Sequence, residues 1–237
     1  MAEWMRSIGR LQGRTNAAMN NKILHITNGD CFNEYFLSKH GGKAVPFCEA
    51  MMDGKATAEI YSEEFILLRA KELKVSPEEY RSKMHAYDAL REKAYAELHL
   101  WFGKDTFCQI NLLTLLAYLE QRGFGGRVIF HVIDDETFEE IGSEQEVQLG
   151  IYRNIYEEIL IRGQSPEETG VLDGGAIALY FDYHGENGML SRLVRENAEK
   201  DRMTLICLLL ENSREYGLSD IQAEKLIDAY GTAAQKN

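Results

Sequence analysis

The chain is poor in proline, in paired cysteines and in positive charge, and each shortage closes off a class of protein. Three prolines in 237 residues leave no proline-rich linker and no low-complexity stretch. The four cysteines, Cys31, Cys48, Cys108 and Cys207, stand far apart and form no C-x-x-C pair. That spacing offers no thiolate zinc site and suits a reducing compartment, so a cytoplasmic location is expected. Lysine and arginine total 26 against 38 acids, a formal net charge of −12. Binding to a phosphate backbone needs clustered basic residues, so the balance argues against nucleic acid as a partner. It argues equally against an anionic membrane surface. No apolar run reaches the ~18 residues that a membrane-spanning helix needs. Residues 1–21 lack the apolar core of a signal peptide and read as a polar extension. Within it Arg6, Arg10 and Arg14 recur every four residues and would line one face of a helix. Familiar catalytic signatures are missing too. There is no P-loop, no G-x-G-x-x-G, no H-E-x-x-H, and no serine or cysteine set in a nucleophile elbow.

What is present is an alternation of short apolar runs and helical segments. Strands are expected at 22–26, 43–47, 97–102 and 127–133, the last apolar except for its leading Arg127 and for His131. Helices are expected at 31–39, 63–73, 77–94 and 106–122. Ser76 and Pro77 open the third as N-cap and first helical residue. Apolar strands alternating with helices imply α/β architecture: a Rossmann-like open parallel sheet of about four strands, covered on both faces, in the order 2-1-3-4. From about residue 144 the pattern turns helical, with candidates at 145–162, 172–183, 189–199, 203–215 and 219–229. The expected organisation is a polar extension (1–21), an α/β domain (22–143) and an all-helical C-terminal domain (144–237). Residues 134–146 carry seven acids and no base, and read as a solvated connection between the two.

Two strand-to-helix junctions hold most of the chemistry: His25-Ile26-Thr27-Asn28-Gly29-Asp30 and Leu100-Trp101-Phe102-Gly103-Lys104-Asp105-Thr106-Phe107-Cys108-Gln109. With strands 1 and 3 adjacent, a crevice would open between them at their carboxyl ends, where open α/β sheets bind ligands. Asp30 and Asp105 would border it, with Asn28 and Gln109 beside them. Both aspartates also stand where helix N-caps belong, and capping alone would explain each. A capping carboxylate stays ionised, which makes it a poor general acid and a poor neighbour for bare phosphate. A ligand offering hydroxyl, amine or a divalent ion fits better. Oxygen ligands without thiolate or paired histidine would favour Mg2+ or Mn2+ over zinc. His25, His99 and His131 each sit on a strand, and a lone strand histidine is ordinarily a satisfied core residue. Cys31 and Cys108 follow the aspartates, but free cysteine ordinarily packs as a small hydrophobe.

At these junctions the sequence resembles the bacterial family known as domain of unknown function number 1835. The matching stretches are H-x-T-N-G-D at His25 to Asp30 and L-W-F-x-x-D-x-F-x-Q at Leu100 to Gln109. A weaker match runs from Pro46 to Gly54, with Phe47 in place of tryptophan and Glu49 in place of aspartate. Arg69 also resembles an arginine of that family. The resemblance implies one site built from Asn28, Asp30, Glu49, Asp105 and Gln109, and it implies no established activity. On that reading Asp30, Asp105 and Glu49 would be the catalytic or coordinating acids. His25, Thr27, Asn28, Gly29, Trp101, Gln109 and Arg69 would bind a small, sugar-like or nucleotide-like ligand. If a reaction occurs, hydrolysis or group transfer assisted by a divalent ion is the expected class. The alternative is a non-enzymatic interaction module that uses the helical half for a protein partner or a second copy. Its last helices could pass for a helix-turn-helix. Residues 189–229 carry six bases and eight acids, a net of −2, which argues against DNA.

Overall fold

A parallel sheet whose side chains point alternately to its two faces sets the architecture. The computed structural model describes residues 22–231, so Arg6, Arg10 and Arg14 lie outside the described residues. β1 (Ile23–Asn28), β2 (Ala44–Phe47), β3 (Glu97–Phe102) and β4 (Arg127–Val132) run parallel in the order β2-β1-β3-β4. This is the expected order. A two-residue antiparallel strand, β5 (Gln145–Glu146), extends the sheet beyond β4. It is drawn from the acidic run that reads in sequence as a plain connection.

Leu24, Ile26, Leu98, Leu100, Phe102, Val128, Phe130 and Val132 are buried on one face of this sheet. They belong to a single apolar cluster that continues through Tyr152, Ile177, Leu205 and Ile227. The α/β stretch and the helical stretch therefore share one core. The opposite face is different in kind. It carries His25, Thr27, Glu97, His99, Trp101, Arg127 and His131, and its apolar cluster is Phe32, Phe36 and Ile133 with a few partly buried neighbours. Phe32 and Phe36 come from α1 (Asp30–His40).

α2 (Glu63–Glu72) follows β2, and Ser62 caps it. The single helix expected over 77–94 is two, α3 (Pro77–Lys83) and α4 (His85–Glu92), broken at Met84, whose φ of −88° and ψ of 47° leave the helical region. Met84 is buried, so core packing and not a local breaker residue sets the bend. α5 (Thr106–Gln121) carries Phe107, Ile110, Leu113 and Leu116 on one stripe, which by itself would bury one face. In fact 13 of its 16 residues are buried, because the sheet lies on one side and the C-terminal helices on the other. A helix apolar nearly all round belongs in such a position.

The first C-terminal helix starts later than its sequence suggests. α6 (Tyr152–Tyr156) begins only after Gly150, and continues as a π-helical turn over Glu157–Ile161. The reason is Glu120 at the end of α5, whose carboxylate accepts the N–H groups of Gly150, Tyr152 (2.9 Å) and Arg153 (2.7 Å). A carboxylate from another helix thus satisfies the unpaired amides of the first turn. α7 (Gly174–His184), α8 (Met189–Glu196), α9 (Arg202–Glu211), a 3-10 turn at Arg214–Tyr216 and α10 (Asp220–Tyr230) complete the described chain. No helix among the described residues is long and apolar enough to cross a membrane. Substituting Glu120→Ala removes three charge-assisted bonds at once and should cost about 2 kcal/mol. Urea denaturation would show this as a lower midpoint, and an unchanged midpoint would mean that the α6 start needs no cap.

Candidate functional site

The β3–α5 junction does what its sequence promises. Asp105 is the N-cap of α5, with φ −62° and ψ 161°, and its Oδ1 accepts the N–H of Cys108 at 2.7 Å. At the β1–α1 junction the expectation fails. The N-cap is Gly29, at φ 83°, and Asp30 is the first helical residue with no capping bond. Only a residue tolerant of positive φ fits the sharp exit from β1, so the cap position falls to glycine. Asp30 points toward β2 instead, where its Oδ1 lies 3.4 Å from the Cys48 thiol. Burial and that carboxylate push the Cys48 thiol up to about 12.

The partner of Asp105 is a residue the sequence reading passed over. Asp135, just beyond β4, brings its Oδ1 within 3.5 Å of the Cys108 sulfur. Ligand atoms of Asp105, Cys108 and Asp135 all lie within 4.8 Å of one another. Two glycines make that approach possible. A Cβ on Gly103 would meet Asp135 Oδ1 at 2.2 Å, and one on Gly217 would meet Asp105 Oδ1 at 2.5 Å. Gly217 comes from the helical half, which therefore closes one wall of the site. The carboxylates border a cavity of about 610 Å3 that is also lined by Lys104, Asp173, Ala176 and Arg214. It opens over β3 and β4, one strand along from the β1–β3 crevice that strand order suggests.

Electrostatics give the two carboxylates and the thiol distinct roles. As a residue Asp135 is exposed, but its carboxyl group is turned inward. Desolvation and then the Asp105 charge raise it from the ordinary carboxylate range to about 7. Burial, followed by the two aspartate charges, holds the Cys108 thiol well above its usual range. It is a protonated donor, neither a nucleophile nor a thiolate ligand.

The remaining predicted site residues sit as follows. Asn28 bridges the two junctions: its Nδ2 lies 2.9 Å from the Cys108 sulfur, and its Oδ1 accepts from Asn111 at 3.0 Å. Thr27 donates to Asn33 Oδ1 within the β1–α1 turn. Gln109 is buried, donating to the Gly103 carbonyl at 2.6 Å and accepting the Asp173 N–H at 3.0 Å. It ties the cavity rim to α7 and does not line it. Glu49 and Arg69 are buried side by side, with both side chains fully covered and 3.5 Å apart. Tyr80 donates to Glu49, and Arg69 donates to the carbonyls of Ala50, Asp53 and Lys55. That pair knits the β2–α2 segment to α3 and presents nothing to the cavity. His25 and Trp101 face the other side of the sheet, where Trp101 Nε1 donates to His25 Nδ1 at 3.1 Å. A signal for Asp135 was present: Ile133-Asp134-Asp135 repeats the strand-end aspartate of the other junctions, but its acidic surroundings read as a solvated link.

No family model, curated protein or solved structure matches this chain. The site therefore rests on its own chemistry.

The raised Asp135 carboxyl has a stability consequence. Its folded value of about 7 lies above that of an ordinary aspartate, so its contribution is fully present below about pH 4 and is lost as pH rises through 7. Asp135→Asn abolishes that loss. Because the residue is partly solvated, the variant should gain about 1 kcal/mol over wild type at pH 8 and show no gain at pH 4. Thermal melts across that range check it, and a pH-independent difference would contradict the shared-charge account.

Proposed function

We propose that the chain binds a small polar ligand, sugar-like or nucleotide-like, through a divalent cation held by Asp105 and Asp135. The observation that carries this reading is the convergence of two carboxylates from different strand ends on one cavity. Like charges held this close repel unless a proton or a cation lies between them. The donor set fits a hard ion. Carboxylate oxygens and solvent suit Mg2+ or Mn2+, and the protonated Cys108 offers no thiolate to recruit zinc. Bound there, the ion would neutralise the pair and give a ligand hydroxyl or phosphate an electropositive anchor. Lys104 and Arg214 border the same cavity and suit the anionic end of such a ligand, although Arg214 is also paired with Glu136 at 3.0 Å. Among the described residues the cavity holds no activated nucleophile, so the reading is of binding and makes no assignment of a reaction.

Mn2+ titration followed by electron paramagnetic resonance tests the reading. One Mn2+ per chain is expected at pH 8, at least tenfold weaker at pH 6 as Asp135 takes up a proton, and at least tenfold weaker in Asp135→Asn. Nucleotides and sugar phosphates should then raise the melting temperature only when Mg2+ or Mn2+ is present. Equal Mn2+ affinity in wild type and Asp135→Asn would overturn it.

A further inference from the structure

The polar face of the sheet carries a second arrangement, independent of the crevice. β3 and β4 pair in the register His99↔Ile129 and Trp101↔His131, which makes His99 and His131 diagonal neighbours on one face. His99 Nδ1 and His131 Nε2 face each other at 2.8 Å. The outward nitrogens both meet carboxylates: His99 Nε2 lies 2.9 Å from Glu97, and His131 Nδ1 lies 2.7 Å from Glu140. Glu97 also accepts from Arg127 at 2.7 Å, as an ionised carboxylate does.

Those partners determine where the ring protons sit. A carboxylate only accepts, so His99 carries its proton on Nε2 and His131 carries its own on Nδ1. The two inner nitrogens are then both bare lone pairs, pointed at each other at hydrogen-bond distance. Two neutral imidazoles do not rest in that geometry, and a positive species belongs between them. Trp101 lies flat against His131, with ring centroids 3.8 Å apart and planes 5° apart, and holds that ring in place. His25 stands 4.8 Å from His99, but the indole N–H on its Nδ1 leaves its own proton on Nε2, so it is a wall and not a donor atom.

We propose that His99 Nδ1 and His131 Nε2 form a binding site for a late first-row divalent cation, Zn2+ or Cu2+, with Glu97 and Glu140 as outer partners that orient the rings. Imidazole pairs select these ions, and a carboxylate on the far nitrogen is how protein histidines are ordinarily readied for them. The rings must part slightly: a tetrahedral zinc with bonds of about 2.05 Å sets its nitrogens about 3.3 Å apart. The His99 side chain is 17% exposed, which leaves a solvent side from which water completes the coordination shell.

Cu2+ titration of the full, untagged chain, read by electron paramagnetic resonance, tests this. The expected result is one tight Cu2+ per chain with superhyperfine splitting from two nitrogens, displaced by Zn2+. His99→Gln and His131→Gln should each weaken it at least 100-fold, Glu140→Gln about tenfold, and Asp135→Asn not at all. The wild-type spectrum stands even if a histidine variant folds poorly. A Cu2+ spectrum with oxygen donors only, or affinity unchanged in both histidine variants, would overturn the proposal. So would 15N NMR showing one proton retained between the rings under excess Zn2+.

Discussion

The need to satisfy polar groups on a buried helix governs this structure. α5 is enclosed between the sheet and the C-terminal helices, yet it carries the buried Thr106, Gln109 and Asn111 and, at its end, the half-buried Glu120 and Gln121. Buried polar atoms without partners cost free energy, so each of these side chains has to find one. They do so by fastening other segments of the chain. Thr106 donates to the carbonyls of Ala176 and Glu215, Gln109 holds the start of α7, and Asn111 joins Asn28 to the Glu49–Met51 segment. Gln121 pairs with both backbone groups of Ile60, and Glu120 starts α6. The helix is thus the fixture to which the helical half and the β2–α2 segment are registered.

That registration creates the crevice. Because Thr106 and Gln109 bring the C-terminal helices down onto the start of α5, Gly217 is pressed against Asp105 and the side chains of Asp105, Cys108 and Asp135 are crowded together. The raised Asp135 carboxyl and the protonated Cys108 thiol follow from that enclosure. The other face of the sheet is covered by α1 through Phe32 and Phe36, and beside it histidine, tryptophan and glutamate side chains pack among themselves. One sheet therefore separates two kinds of donor: oxygen at its carboxyl edge, and imidazole nitrogen across its polar face.

Much of the fold was legible and much of the site was not. The parallel strands and the long α5 follow from apolar periodicity, a property of neighbours in sequence, and the strand order follows from the common winding of alternating strands and helices. Asp105 as cap follows from the same local signal. The Asp30 cap failed because the β1 exit needs positive φ, and Gly29 is the residue that supplies it. Glu49, Arg69 and Gln109 look like site residues in sequence because they are polar and set in motifs. In space they satisfy one another or the backbone. Asp135 was hidden by its acidic neighbours, and the His99–His131 pair by strand register, a relation that no single strand carries. Burial partners and register belong to the tertiary structure, and these were the features out of reach.

On the proposed reading, Asp105 and Asp135 share one charge site that a hard divalent ion can occupy. Carboxyl 13C NMR of Asp135 in the intact protein measures it most directly. A titration midpoint near 7 is expected without added metal, falling by at least one pH unit in excess Mg2+. An Asp135 carboxyl that titrates in the ordinary range near 4, with no response to Mg2+, would contradict it.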